Sequence, residues 1–210
     1  MALTEYQAKR NFKVTSEPKG SSKPKPAAKL SFVVQKHQAS HLHYDFRLEW
    51  KGVLLSWAIP KGPSLDPSTK RLAMAVEDHP LEYGGFEGII PEGQYGGGTV
   101  MVWDRGTWEP EDPDVDTSLK NGELKFVLRG SKLKGSWVLV RTKGYGKSTR
   151  SAWLLIKHKD QYASAEDIVS SKSRSALSRR SMAGIAAACG GNVAKAAESD
   201  PEKPTSTGRV

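Results

Sequence analysis

With 210 residues the chain is long enough for one domain with a substantial core, and its lone cysteine, Cys189, excludes an internal disulfide or a cysteine-based zinc cluster and suits a reducing compartment. No apolar run approaches the roughly 18–20 residues needed to span a bilayer, and the polar start 1–12 lacks a signal-peptide core, which points to a cytoplasmic protein without a membrane role. The net charge of +9 sits in the two ends, since 1–30 carries seven Lys/Arg against two acids, 170–210 seven against three, and 31–169 is neutral.

Basic ends flanking a neutral domain predict a polyanionic partner, nucleic acid first, and hence a nucleoid-associated location. Along the chain, 13–30 holds Ser-Glu-Pro-Lys-Gly-Ser-Ser-Lys-Pro-Lys-Pro, too poor in apolar residues to bury a core, and reads as a flexible arm. From Leu30 the pattern turns to β. Strands are predicted over 31–35, 41–50, 53–59, 72–77, 99–103, 123–129, 136–141 and 152–158. Turn signals fall at Lys51-Gly52, Pro60-Lys61-Gly62-Pro63, Asp104-Arg105-Gly106, Asn121-Gly122 and Lys134-Gly135. One helix is predicted over 174–188, stopped by Gly190-Gly191, after which the chain loses pattern. The expected organisation is a basic arm over 1–30, a β domain over 31–162 and a basic low-complexity tail over 163–210. Short strands joined by turns, with no helices interposed, predict a mainly β fold: a single closed or nearly closed antiparallel barrel with flexible basic ends.

Within it, 41–50 alternates without error. Leu42, Tyr44, Phe46, Leu48 and Trp50 form one face, and His41, His43, Asp45, Arg47 and Glu49 the other. An isolated His-x-Asp is most simply an ion pair on a solvent face, but five consecutive ionisable groups suggest a site. Same-face neighbours stand about 6.6 Å apart along a strand, so His43 and Asp45 can lean toward one divalent cation. Arg47 follows, ready for an anion. A tight reversal through Gln38-Ala39-Ser40 would add His37, giving two imidazoles and a carboxylate with positions left open; such sites suit manganese, zinc or iron. In a barrel, an aromatic face turned outward would need a covering layer; otherwise the polar row lines a wet pocket.

Counting by twos places Arg71, Ala73, Ala75, Glu77 and His79 on one face, with Pro80 setting His79 at a rim where it can act as a general acid or transition-state donor. His41 and His158 read as strand-end residues. The glycine-rich 91–98 fits neither a P-loop nor a dinucleotide fingerprint and reads as a permissive loop. Lys61 stands in a rigid turn, equally a solvated lysine or a phosphate contact.

Several separated segments, in this order, resemble the 3′-phosphoesterase module of bacterial and archaeal DNA ligase D. They include Lys9-Arg10, Glu17-Pro18, Phe32-Val33-Val34-Gln35-Lys36-His37, Leu42-His43-Tyr44-Asp45-Phe46-Arg47-Leu48-Glu49, Ser56-Trp57-Ala58-Ile59-Pro60-Lys61-Gly62-Pro63-Ser64, Val76-Glu77-Asp78-His79-Pro80 and Phe86-Glu87-Gly88 followed by Tyr95-Gly96. The resemblance covers roughly 3–162, with no polymerase module and no adenylating-lysine motif in the chain. It implies a β-barrel hydrolase that uses manganese, with other divalent metals also suited, to clean 3′ ends of DNA or RNA–DNA. A terminal ribonucleoside is removed first, then the remaining 3′-phosphate. It further implies that His37, His43 and Asp45 hold the metal and that Arg47 and His79 contact the scissile phosphate. Lys61 and Arg71 would assist in phosphate binding, with Gln35, Glu77 and Tyr83 in support. A separate ligase or polymerase and the Ku end-binding protein follow as partners by analogy. Two other readings compete: a non-haem iron oxygenase, because His-x-Asp with a later His also spells a facial triad, and a non-catalytic nucleic-acid-binding barrel.

Overall fold

Two-residue periodicity lets a strand bury one face, and here eight strands bury theirs around a common axis. The computed structural model describes residues 3–20, 29–142 and 152–201. Its strands are β1 (Ser31–Gln38), β2 (Leu42–Trp50), β3 (Val53–Ile59), β4 (Arg71–Pro80), β5 (Gly88–Ile90), β6 (Gly98–Pro110), β7 (Glu123–Gly130), β8 (Lys134–Arg141) and β9 (Ala152–Lys157). All pairings are antiparallel, in the order β1-β2-β3-β4-β9-β8-β7-β6-β5, and β1 pairs again with β6. Eight strands therefore close into the expected barrel, with β5 outside it on β6. Lys51 (φ 47) and Gly52 (φ 82) make the tight β2–β3 turn, whose two positive φ angles match the twist of the strands.

An eight-stranded barrel has a lumen just wide enough for side chains to fill. The largest apolar cluster draws on every barrel strand, with Phe46, Leu48, Trp103, Trp108, Phe126 and Trp137 among its fully buried members. This settles which way β2 faces. Tyr44, Phe46 and Leu48 fill the lumen, so His43, Asp45 and Arg47 stand on the outer wall. The covering layer lies over the polar face. It consists of helix α1 (Thr4–Ala8) and the chain that follows it, with Tyr6, Thr15 and Glu17 buried. A second apolar cluster, Tyr6, Val33, Leu54, Tyr83 and Val102, seals this layer to the wall. The flexible arm expected over 13–30 thus fails for 13–20, where polar side chains find buried partners; 21–28 lie outside the described residues.

Other local expectations changed for identifiable reasons. Asp104-Arg105-Gly106 is no turn but the middle of β6: Asp104 accepts from the amides of Lys132 and Leu133, and a Cβ on Gly106 would meet the Arg129 carbonyl at 2.1 Å. That glycine serves close strand approach. Lys134-Gly135 opens β8, and Asn121-Gly122 ends a helix, α2 (Val115–Asn121), with Gly122 left-handed at φ 85. Helix α3 (Ile168–Ser171) and strand β5 are too short to carry a periodic signal. The predicted 174–188 helix forms only as α4 (Met182–Cys189), because the Ser175 hydroxyl accepts from the amides of Leu177 and Ser178 and holds that stretch in a loop. Nor does the chain lose structure after it. Helix α5 (Val193–Ala197) buries Ala196, and the Asp200 carboxylate accepts from the amides of Met182 and Ala183 at the start of α4.

Candidate active site

The β1–β2 hairpin places its outward side chains in cross-strand pairs: His37 opposite His43, Gln35 opposite Asp45, Val33 opposite Arg47. Directly paired residues of an antiparallel ladder stand about 5 Å apart, and this register, rather than spacing along one strand, brings His37 to the row. The His37 and His43 rings have centroids 4.8 Å apart. His37 Nδ1 and His43 Nε2 each lie 3.6 Å from Asp45 Oδ2.

The second nitrogen of each ring is occupied. His37 Nε2 is 2.8 Å from the Gly96 carbonyl and His43 Nδ1 is 3.0 Å from the His41 carbonyl. A proton on each of those nitrogens leaves the lone pair of the other facing Asp45, the arrangement by which metal-binding histidines are oriented. The glycine-rich loop thus supplies a carbonyl that fixes an imidazole. The three ligand atoms lie within 4.8 Å of one another. Atoms about 2.0–2.2 Å from one cation sit roughly 3–3.6 Å apart, as the two His–Asp45 pairs do at 3.6 Å, and two imidazoles with a carboxylate suit a divalent metal. Against the burial penalty, Arg47 and then His37 and His43 hold the Asp45 carboxyl well below the usual carboxylate range, so it is an anion. The same carboxylate, also against burial, raises the His43 pKa.

Arg47 is 2 % exposed. Its Nε donates to Gln35 Oε1 (2.8 Å), its Nη1 to Ser56 Oγ (2.8 Å), and its Nη2 is 3.3 Å from Asp45 Oδ2. Gln35 is fixed in turn by donating to the carbonyls of Tyr83 and Phe86. His79 reaches this group through a β-bulge. Leu54 pairs with His79 but Ser56 with Val76, so β4 carries one extra residue there. The bulge reverses the parity read from the sequence. Ala73 and Ala75 pack on the lumen cluster, while Glu77 and His79 join the outer wall. Arg71 falls on the same side as Ala73, away from His79, and Lys61 is exposed in its turn; neither lines the cavity.

Each ring nitrogen of His79 faces a guanidinium, Arg47 Nη1 at 2.9 Å from Nδ1 and Arg10 Nη2 at 3.2 Å from Nε2. Burial first, then Arg47 and Arg10, push its pKa well below the usual histidine range, so the imidazole is neutral. Arg10 was missed as a site residue because the arm carrying it was expected to be flexible. It is held by Glu17 (2.8 Å) and stacks 3.8 Å over the Tyr6 ring. Glu17 also accepts from the Tyr83 hydroxyl, and Glu77 accepts from Lys9 and Arg10. The partners Glu77, His79 and Tyr83 lie 60 or more residues away in the chain; local signals were confined to Tyr6 and Glu17, four and seven residues from Arg10. Glu49, the last member of the row, turns away to accept from the amide and hydroxyl of Ser31. His37, His43, Asp45, Arg47, His79 and Arg10 all line one cavity of about 440 Å³.

The protein from Pseudomonas aeruginosa described as "Multifunctional non-homologous end joining protein LigD" is 52% identical over 184 residues, 86% of this chain and 22% of that protein. The Mycobacterium tuberculosis "Multifunctional non-homologous end joining DNA repair protein LigD" is 43% identical over 159 residues, 76% of this chain and 20% of the relative. The Mycolicibacterium smegmatis protein is 42% identical over 164 residues, with 76% and 21% covered. The chain thus spans about a fifth of the length of each of these relatives. Residues 35–141, which include the second half of β1, all of β2, the bulge of β4 and the glycine-rich loop, match the DNA ligase D 3′-phosphoesterase domain. The chain belongs to the DNA ligase D 3′-phosphoesterase domain family.

Proposed function

We propose that the protein is a metal-dependent phosphoesterase that trims nucleic-acid 3′ ends, removing a terminal ribonucleoside and then the 3′-phosphate left behind. The observation that carries this reading is the convergence, in one cavity, of three oriented metal-ligand lone pairs and two guanidiniums, Arg10 and Arg47, set on either side of a neutral imidazole. The Glu77 carbonyl, 2.9 Å from Nδ1, takes the single proton of the neutral imidazole, so His79 accepts from Arg10 at Nε2 and offers no lone pair to Arg47. Positive charge from two guanidiniums beside an uncharged ring points to an anion, and a forked guanidinium fits phosphate oxygens.

His37, His43 and Asp45 would hold manganese, which when bound would act as a Lewis acid toward the phosphoryl group and the attacking water. Arg47, locked by Gln35 and Ser56, presents its fork at a fixed angle, so no reorganisation is needed as charge develops on the phosphate. A bound phosphate would also raise the proton affinity of His79, letting the ring hold a proton against the departing oxygen. Gln35, Glu77 and Tyr83 act by positioning. The family membership favours this hydrolytic reading over an iron oxygenase or a purely binding barrel. The relatives, described as non-homologous end joining proteins, suggest the setting, in which a 3′-hydroxyl would pass to a ligase or polymerase at a Ku-bound end.

The test is a 5′-labelled primer ending in one ribonucleotide, incubated with and without manganese. The expected result is a 3′-phosphate product that converts to a 3′-hydroxyl only when metal is present. No product with manganese, or equal product with a chelator, would overturn the reading.

A further inference from the structure

A second hollow, of about 500 Å³, lies outside the cavity just described. Lys132, from the turn between β7 and β8, lines it together with Lys172, Arg174 and Arg179 from the segment between α3 and α4, and Ser131 and Ser173 add hydroxyls. Four cations share it and no carboxylate lines it. The acids behind it are tied elsewhere. Asp104 accepts from the amides of Lys132 and Leu133, and Glu87 from the Val102 amide and the Ser175 hydroxyl.

The hollow is built rather than incidental. Lys132 Nζ donates to the Arg174 carbonyl at 2.6 Å and stands 4.3 Å over the Trp103 ring, so the two basic segments are bonded together. Arg179 adopts a left-handed φ of 65, rare for a side-chain-bearing residue. Bonds from Ser175 N to the Arg180 carbonyl and from Arg179 N to the Ser175 carbonyl close the loop that holds it. Burial, then Lys36 and Lys172, with Asp104 offsetting in part, bring the Lys132 ammonium down to about 8.

A short relay links hollow and cavity. Gln35, which fixes Arg47, donates to the Phe86 carbonyl; the next residue, Glu87, holds Ser175; and the Ala176 amide donates to Val102 on β6. From β2 to β6 is two strand spacings, about 10 Å. We propose that this hollow is a second phosphate site, which grips the nucleic-acid backbone a few nucleotides from the 3′ end held in the metal cavity. The proposal rests on the phosphoesterase reading. It commits to backbone phosphates because a strand whose end lies in the cavity delivers its own phosphates to the hollow at high effective concentration. Two arginine forks, two ammoniums and serine hydroxyls offer donors to phosphate oxygens and no competing anion.

The test compares the wild type with K172Q/R174Q/R179Q, three exposed side chains outside the metal cavity and the core, after circular dichroism confirms equal folding. Anisotropy of a labelled primer–template is titrated from low to high salt, and turnover of a dinucleotide 3′-phosphate, too short to span both sites, is measured in parallel. We expect at least about tenfold weaker binding at 0.1 M salt and a log–log salt slope lower by about two to three, at about 0.9 per duplex phosphate contact. Turnover of the short substrate should not change. Identical affinity and slope in the variant would overturn the proposal. So would displacement of the primer–template by inorganic phosphate as effective as that by an unlabelled oligonucleotide of equal phosphate content, since the hollow would then take small anions. Failure of the wild type to hydrolyse the short substrate would instead strike the phosphoesterase reading, because the salt slope needs no turnover.

Discussion

The two faces of β2 are almost equally buried, Phe46 at 0 % and Arg47 at 2 % exposed, yet they are buried by opposite means. The inner face is filled by volume. Phe46 packs against Trp57, Phe126 and Phe32 with ring centroids 5.8–6.5 Å apart, contacts that any well-fitting apolar side chain could approximate. On the outer face each polar atom needs its own partner. Arg47 requires Gln35, Ser56 and Asp45 together, and these come from three strands. Dispersion is non-directional and tolerant of substitution, whereas a buried polar group left unpaired carries its full desolvation cost. The inner face therefore governs whether the protein folds, and the outer face what it does once folded.

The sharpest way to break this division is Asp45→Asn. The amide keeps the shape but gives up the anion that completes the metal ligands, so turnover of a 3′-phosphate primer should fall by about 10³-fold or more, since metal charge stabilisation is worth several kcal/mol. Manganese affinity, read by calorimetry, should fall with it while the circular dichroism spectrum stays unchanged. Near-normal turnover would remove the metal assignment.

Phe46→Ala tests the other face. It should cost about 3–5 kcal/mol in urea unfolding, with kcat of the remaining folded protein within a few-fold of wild type. A collapse of kcat in fully folded protein would show that the lumen and the site are coupled.

Arg47→Lys should lower kcat/KM by roughly 10²-fold, because an ammonium keeps the charge but not the fork that Gln35 and Ser56 align. Full activity in the lysine variant would mean that bulk charge suffices.

The smallest effect concerns Asp78, at the bulge beside Glu77. Burial, then the charges of Glu5 and Glu77, raise its carboxyl from 3.8 to about 6. The folded protein keeps a proton that the unfolded chain releases, so stability declines as pH rises from about 4 to about 6 and stays at the lower level above that. Asp78→Asn should remove this decline and stabilise the protein at pH 7 by about 1 kcal/mol, a value discounted for solvent screening of a half-exposed group. Thermal melts at pH 4.5 and pH 7 read the difference, and equal melting shifts at both would reject it.

The legible part of the site was the part confined to one strand and its nearest neighbour. Two-residue alternation marked His43, Asp45 and Arg47 as a single face, and a short reversal made His37 reachable. Arg10 and Glu17 were invisible for a physical reason: their partners, Glu77, His79 and Tyr83, lie more than 60 residues away, and a Lys-, Ser- and Pro-rich segment looks unstructured until polar atoms on the barrel satisfy it. His79 was read with Arg47 and Glu77, which do stand beside it, but also with Arg71, Ala73 and Ala75, because one extra residue in β4 reverses side-chain parity and bulges leave no trace in a period-2 count.

From its amino-acid sequence alone this protein is a mainly β barrel with a row of metal-binding residue types on one strand, because alternation follows from backbone geometry and needs no knowledge of tertiary contacts. The closure of β1 on β6, the outward direction of the polar row, its burial beneath residues 3–20 and the gathering of Arg10, Arg47 and His79 were decided only by the tertiary structure. Each depends on pairings between segments distant in the chain, whose free energy comes from filling one common lumen and satisfying polar groups that no single segment could satisfy by itself.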